Sequence, residues 1–577
     1  MPKLTATPFL GRTTLPNLYD IMAIALIFGA LAAIGEAARG LNAPLEAVPT
    51  ADLSLDYSDL PYYALRTTFR MFAAIGASLI FTFTYATLAA KSRRAEMVLI
   101  PILDILQSVP ILGFLSFTVT FFLGLFPGST LGAECAAIFA IFTSQAWNMA
   151  FSFYQSLLSV PRDLNEVARG FGLSAWQKFW QLETPFAMPS LIWNTMMSMS
   201  GGWFFVVASE AITVGDTTVK LPGIGSYLAL AIEQKRVDAV IAAVVMMLVV
   251  IMAYDQLLFR PLVVFAARFR VELSAGQTQE RSWVMRIFTR TQWLRSVFKG
   301  PSALFGSIGL LRLEFPLPAA KSAPKTGSGS KIIDIVWLSL VALATLAAFR
   351  TVFSYLSQSL TWSDLGEGIV LTCFTMLRVI LLMILASLFW VPVGVWIGLR
   401  PRLAEKIQPL AQFLAAFPAN VIFPVAVVAI LTLKLNPDIW LSFLIVFGTQ
   451  WYILFNVIAG AAAFPNDLRE AVSTFRIHGW DWWKNVILPG IFPYYVTGAL
   501  TASGGSWNAA IVAEYVKWGD DTVKAHGIGA YIAEATAAGD FPKIVLGVAV
   551  MSIFVTLFNR LLWRPLFNLA ERRLSLS

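Results

Sequence analysis

The stretch VPRDLNEVARGFG, residues 160–172, has a counterpart in FPNDLREAVSTFR, residues 464–476. Both are charged and helical in pattern, inside a chain that is otherwise strongly apolar. At 3.6 residues per turn, Leu164, Val167, Ala168 and Phe171 fall at i, i+3, i+4 and i+7, and Leu468, Ala471, Val472 and Phe475 repeat the spacing. The opposite face carries Asp163 and Glu166 in the first copy and Asp467 and Glu470 in the second. Glu166 and Glu470 sit in the first turn, where a carboxylate favours the helix N-terminus. Gly172 ends the first predicted helix, and Ser174 with Gln177 has the spacing of a capping box for a second one bearing Trp176, Phe179 and Trp180. A charged helical hairpin of this size, present twice, is poorly explained as a mere connection and reads as a docking surface. The second copy has Arg476 in place of Gly172. An arginine loses roughly 1 kcal/mol or more in a left-handed conformation. The second helix is therefore expected to run on by about a turn, with Gly479 breaking it just before Trp480.

Working outward, Pro161 and Pro465 are 304 residues apart, and the same offset joins Trp147 to Trp451, Trp203 to Trp507, Glu210 to Glu514 and Lys220 to Lys524. GIGSY (223–227) meets GIGAY (527–531) at that offset. Upstream the offset becomes 308, joining Arg70 to Arg378 and Pro110 to Pro418, so a four-residue indel lies between Pro110 and Trp147. The chain is a tandem duplication. On this alignment Asp104 and Glu134 are given no charged counterpart and no role.

The solvent for this duplication is lipid. Of 577 residues 57% are hydrophobic and 13% charged, with mean hydropathy +0.70; soluble domains average about 25% charged. A spanning helix needs roughly 20 apolar residues, and about twelve segments qualify. They lie near 19–36, 66–90, 97–122, 133–157, 187–213 and 239–259, then 333–352, 367–398, 407–433, 438–462, 491–516 and 542–562. The expected fold is an all-α polytopic membrane protein of two parallel six-helix repeats, residues 1–260 and 333–577, joined by a basic linker at 261–332. The N-terminal apolar run followed by GEAARG has the outline of a signal peptide, but its long leader fits a first anchor helix better.

Loop 41–62 carries Glu46, Asp52, Asp56 and Asp59 without a Lys or Arg, whereas KSRRAE (91–96), LRPRLAEK (399–406) and region 260–331 are basic. The positive-inside rule then puts both termini and both hairpins of this multi-pass protein in the cytoplasm. Within the linker, RSWVMRIFTRTQWLRSVFK (281–299) mixes aromatic and basic residues at near-helical spacing. It reads as a helix lying on an anionic leaflet, with a solvated basic linker as the alternative. The linker's GSGSK lacks the glycine before lysine that a phosphate-binding loop requires, and no such motif occurs elsewhere. Cys135 and Cys373 fall in apolar runs, and His478 and His526 have no second ligand nearby in sequence. No catalytic residue, cofactor or metal site is expected, and no nucleic acid among the partners.

The hairpin resembles the cytoplasmic loop of binding-protein-dependent ABC importer permeases, E-A-A-x(3)-G-x(9)-I-x-L-P. Glu166, Ala168, Gly172, Leu182 and Pro185 match, while Val167 and Thr184 depart; Glu470, Ala471, Val486, Leu488 and Pro489 match, while Val472 departs and Arg476 replaces the glycine. Thr67/Arg70 and Thr375/Arg378, the segment from Trp203 to Glu210 and the GIG loops look most like the nitrate, sulfonate, taurine and bicarbonate branch, in duplicated form. The resemblance implies a type I importer fold and a coupling helix at each hairpin. It also implies two separate ABC ATPase subunits holding ATP and magnesium, and a periplasmic or lipid-anchored substrate-binding protein. This chain would then be a permease without chemistry of its own.

Ionisable residues inside spans are costly unless paired. Arg70 and Arg378 are either an anion-attracting pair on the pathway or structural anchors, and the structural reading is preferred. For Glu210 and Glu514, hydrogen bonding that holds the following GIG loop is preferred to a bare pathway carboxylate. Trp203 and Trp507 either gate the pathway or pack beside the glycines at 201–202 and 504–505. The rival is a secondary transporter of six plus six spans, which predicts an intramembrane ionisable relay and no repeated hairpin.

Overall fold

The computed structural model describes residues 17–38, 53–214, 217–269, 282–293, 306–307, 309–312, 328–462, 464, 468, 470, 472 and 474–573. Its contacts divide the chain into two units that cut across the repeat boundary. One comprises Met1–Arg39, Gln155–Trp193 and Ala253–Leu317; the other comprises Gly40–Tyr154, Asn194–Met252 and Pro318–Ser577.

The smaller unit is organised around the N-terminal end of helix Leu18–Ala38. Asp20, fully buried, accepts the backbone N–H groups of Gln292 at 3.0 Å and Trp293 at 3.2 Å. Asn17 Nδ2 donates to the Arg290 carbonyl at 3.0 Å. These bonds dock the linker helix Trp283–Arg290, whose first turn is capped by Ser282, against the first helix. Val284 and Ile287 are buried, and Ile287 clusters with Ala23. The amphipathic linker segment thus spends its aliphatic face on the chain itself, and Trp283 and Phe288 remain exposed.

In the larger unit the expected spans are helical, but they are not twelve uniform rods. Among the described residues six helices are long and apolar enough to cross a membrane, and up to eight if each bent pair is one span. The six are Tyr57–Lys91, Val237–Ala266, Ser339–Ser359, Trp362–Gly398, Gly479–Ala513 and Phe541–Ala570. The span expected at 97–122 is Arg93–Ser108 followed by Ile111–Leu125, bent by 103° at Val109–Pro110. Its counterpart at 407–433 breaks after Ala416 at Phe417–Pro418, passes through a 3-10 turn and resumes as Phe423–Thr432. Proline lacks the N–H that would continue the ladder, and its ring excludes the preceding residue from helix. The span at 438–462 is likewise Pro437–Phe447 and Gln450–Ala462, bent by 41°.

Both proline breaks meet the opposite repeat. The Ile111 N–H, orphaned in a first turn, donates to Asn508 Oδ1 at 2.7 Å, and Asn420 Nδ2 donates to the Phe204 carbonyl at 3.1 Å. At the first break the freed Ile111 N–H is thus paired by an amide side chain; at the second, Asn420 reaches a carbonyl inside helix Thr184–Glu210.

Two short antiparallel hairpins interrupt the all-helical pattern. Ala211–Val214 pairs with Thr217–Lys220, Ala211 opposite Lys220; Tyr515–Trp518 pairs with Asp521–Lys524, Tyr515 opposite Lys524. The fifth spans therefore end at Glu210 and Ala513 rather than running on to 213 and 516. Lys235 Nζ lies 2.9 Å from Asp521 Oδ2, which raises the lysine above its ordinary pKa, and the Gly519 N–H donates to the Ile232 carbonyl at 3.0 Å. The duplication reaches into backbone detail. π-helical turns at Phe179–Glu183 and Asp255–Phe259 recur at Trp483–Ile487 and Asn559–Trp563.

Candidate functional site: paired clasps and paired hairpins

Helix Leu60–Lys91 carries Arg66, Thr67 and Arg70 on one buried face. Arg70 Nε donates to Glu134 Oε2 at 2.6 Å and Nη2 to Glu134 Oε1 at 2.7 Å. Its Nη1 donates to Glu210 Oε1 at 2.7 Å and to the Pro222 carbonyl at 2.9 Å. Arg66 Nη2 donates to Glu134 Oε1 at 2.6 Å. Thr67 Oγ1 donates to Glu210 Oε1 at 2.7 Å and accepts the Ile224 N–H at 3.0 Å. Glu210 Oε2 accepts the Gly225 N–H at 2.7 Å. Two guanidinium groups and two carboxylates make a neutral, buried set. Buried charge is tolerable when each ion is paired and hydrogen-bonded in this way. A Cβ at Gly223 would run into the Glu210 carboxylate, so the glycine is required for space; its φ of 179° is ordinary extended backbone.

The second repeat builds the same clasp more loosely. Arg378 Nη1 donates to Glu514 Oε1, and its Nη2 donates to the His526 carbonyl at 3.2 Å and lies 3.6 Å from Asp438 Oδ1. Thr375 Oγ1 donates to Glu514 Oε1 at 2.9 Å and accepts the Ile528 N–H at 3.0 Å; Glu514 Oε2 accepts the Gly529 N–H at 2.8 Å. Asp438 accepts the His526 N–H at 2.7 Å, and its Oδ2 is 3.0 Å from His526 Nδ1.

Glu134, unmatched on the sequence alignment, does have a charged counterpart. Continuing the 304 offset upstream of Trp147 pairs Leu131 with Leu435, Glu134 with Asp438 and Phe139 with Phe443, so the indel falls before Leu131. The two acids hold equivalent places in the two clasps. His526, with no second ligand nearby in sequence, stands where the first repeat has Pro222.

Trp203 and Trp507 are both fully enclosed. Gly202 and Gly505 beside them are close-approach positions, their hypothetical Cβ atoms 2.8 Å from Gln145 Nε2 and 2.9 Å from Thr449 Cγ2. A Cβ at Gly201 or Gly504 would meet no described residue within 4 Å.

The hairpins complete the set. Helix Arg162–Gly170 places Asp163 in its first turn, with Glu166 exposed. Ala168 is buried and Leu164 half-buried, but Val167 and Phe171 are 53% and 78% exposed, so half of the predicted apolar face is left uncovered by the described residues. Gly172, at φ 61°, turns the chain; the Leu173 N–H reaches back to the Ala168 carbonyl at 3.1 Å, and the Ser174–Gln177 capping box forms. In the second copy Asp467 and Ala471 lie outside the described residues. Glu470 and Phe475 are exposed there and Val472 is half-buried. Val472 also lines a hollow of about 250 Å³ with Leu399, Phe464, Trp482, Val486 and Ile487.

The expected run-on of the second helix does not occur. Arg476 itself takes φ 52°, and the Ile477 N–H bonds the Val472 carbonyl at 3.1 Å, as in the first copy. Gly479, also left-handed at φ 63°, opens the next helix. The surrounding hairpin imposes the turn, and the arginine accepts the strain.

Residues 82–260 and 390–564, more than half of the chain, each match the family described as binding-protein-dependent transport system inner membrane component. Among similar proteins is the bicarbonate transport system permease protein CmpB of Synechococcus elongatus, 30% identical over 177 residues, which are 30% of this chain and 60% of that one. The nitrate import permease protein NrtB of Leptolyngbya laminosa is 25% identical over 178 residues, 31% of this chain and 60% of NrtB. The taurine transport system permease protein TauC of Escherichia coli is 25% identical over 186 residues, 32% of this chain and 62% of TauC. Each match therefore spans about three fifths of the relative's own length. Each matched segment holds one hairpin and most of one clasp, and the chain belongs to the family of binding-protein-dependent transport system inner membrane components, two copies of which are joined in this one polypeptide.

Proposed function

We propose that this chain is the transmembrane permease component of an ATP-driven importer for a small inorganic or organic anion. The carrying observation is the pair of hairpins at fixed spacing, each presenting an exposed glutamate and an exposed phenylalanine. Each hairpin docks one ABC ATPase subunit on the cytoplasmic side of the inner membrane, and ATP and magnesium stay on those subunits. A periplasmic or lipid-anchored binding protein delivers the solute on the other face. Closure of the ATPases moves the hairpins and re-tilts the spans, which alternates access to the pathway.

The anion assignment draws on relatives named for bicarbonate, nitrate and taurine. It draws nothing from Arg70 or Arg378, whose guanidinium groups are already paired with carboxylates. Charge selection therefore belongs chiefly to the binding protein, and the clasps serve to hold the GIG helices to the second span of each repeat. The test is uptake of labelled bicarbonate, nitrate and taurine by liposomes holding the chain with an ATPase subunit and a binding protein. ATP-dependent uptake of one anion is expected. Ion-gradient-driven uptake without ATP would replace this reading with a secondary transporter.

A further inference from the structure

The linker reaches the first hairpin. Gln177 Nε2, already part of the capping box, donates to the Leu310 carbonyl at 2.8 Å, and a Cβ at Gly309 would lie 3.6 Å from Trp180 Cβ. Arg312 Nη2 approaches the Gly172 carbonyl at 3.5 Å. It also lies 3.8 Å from where a Cβ on Gly172 would be, with no other described residue within 4 Å of that point. The linker strap thus brings an exposed guanidinium to the glycine corner at the end of the first coupling helix.

The residue matched to Gly172 in the second repeat is Arg476, exposed and left-handed at φ 52°. Both corners are closed by the same hydrogen bond, from Leu173 to Ala168 and from Ile477 to Val472, each 3.1 Å. Glycine makes this turn without strain, whereas arginine loses roughly 1–2 kcal/mol there. A purely backbone role gives no reason for arginine. A second repeat that keeps it, and a first repeat that receives one from elsewhere in the chain, have one chemical feature in common: a guanidinium at the corner.

We infer that Arg312 supplies to the first hairpin the docking group that Arg476 supplies to the second, and that each binds a carboxylate in the groove of an ATPase subunit. A guanidinium fork is suited to a carboxylate at a protein–protein contact because it forms paired, charge-assisted hydrogen bonds. The linker then restores chemical equivalence between two hairpins whose sequences differ, so that two identical ATPase subunits can dock under one asymmetric chain. This inference rests on the docking reading given above.

The experiment titrates an ATPase subunit onto the full chain in lipid nanodiscs. The probe is the purified ABC ATPase subunit that gives the wild-type chain coupled ATP hydrolysis, and native mass spectrometry reads the stoichiometry. Wild type should bind two subunits of one kind. Arg312→Ala and Arg476→Gly should each leave one site intact and weaken the other roughly ten-fold, which corresponds to about 1.4 kcal/mol. Gly172→Arg combined with Arg312→Ala should regain wild-type binding, since the corner has room and Arg476 shows that the turn accepts arginine. Two tight sites in Arg312→Ala, or no recovery in the double variant, would overturn the inference. Glu166→Lys separates the causes. If it lowers binding while Arg312→Ala does not, docking stands and the role of Arg312 falls. If wild type binds no ATPase subunit, or Glu166→Lys and Glu470→Lys both bind as wild type does, the docking reading fails and the inference with it.

Discussion

Arg70 and Glu134 face each other through two parallel hydrogen bonds, Nε to Oε2 at 2.6 Å and Nη2 to Oε1 at 2.7 Å, with neither side chain reached by solvent. Such a pair contributes little net stability over a well-packed apolar substitute, but removing one partner strands a buried charge at about 3–5 kcal/mol. Glu134→Ala removes a carboxylate that two buried guanidinium groups share, since Arg66 bonds it too, and leaves Arg70 with Glu210. A large fall in thermal stability and in folded yield is expected, followed by size-exclusion chromatography on heated samples. Wild-type melting in Glu134→Ala would mean that the carboxylate is not the anchor of the clasp.

The second clasp should tolerate the matching change. Asp438 is 40% exposed and lies 3.6 Å from Arg378, a geometry closer to a surface ion pair, worth about 0–1 kcal/mol. Asp438→Ala is expected to melt within a few degrees of wild type. A loss as large as that of Glu134→Ala would show the two clasps to be energetically equal despite their different burial.

Steric room at the GIG loops gives a paired test. A Cβ at Gly223 or Gly527 collides with the Glu210 or Glu514 carboxylate, whereas one at Gly201 or Gly504 meets no described residue within 4 Å. Overpacking of this kind costs about 1–3 kcal/mol. Gly223→Ala and Gly527→Ala should lower the melting temperature, and Gly201→Ala and Gly504→Ala should leave it near wild type. Equal behaviour of the two sets would contradict the clasp geometry.

Coupling is tested at the exposed acids. Glu166→Lys and Glu470→Lys reverse an exposed charge on each hairpin and should cut transport-linked ATP hydrolysis about ten-fold or more. Delivery to the membrane should be unchanged, because neither side chain is buried. Full coupling and assembly in Glu470→Lys would remove the second hairpin from the mechanism.

The energy supply gives the last expectation. The purified chain alone should hydrolyse no ATP, and hydrolysis should appear on adding an ATPase subunit. Turnover by the contaminant-free chain would sink the importer reading.

What could be read from the chain alone was local in origin. Helical periodicity, capping residues and proline positions lie within a few residues of what they control, so the hairpin at 160–185 and the Ser174–Gln177 box were legible. The duplication was legible too, because a fixed offset is a property of order along the chain. Pro110 and Pro418 were visible as residues, but the 103° bend after the first of them was not, since proline in an apolar run can kink a helix or break it.

Only tertiary structure decided which charges are partners. Arg70 meets Glu134 across 64 residues and Glu210 across 140, separations at which no pattern of spacing specifies contact. Glu134 therefore looked like an unassigned acid until folding placed it against two arginines. The left-handed turn at Arg476 was likewise decided by its setting. A propensity of about 1 kcal/mol for glycine over arginine is smaller than what the packed hairpin gains by keeping its corner. Arg312 shows the same rule in reverse. Its sequence neighbours mark it as linker, and only its approach to Gly172 places it beside a hairpin 140 residues away.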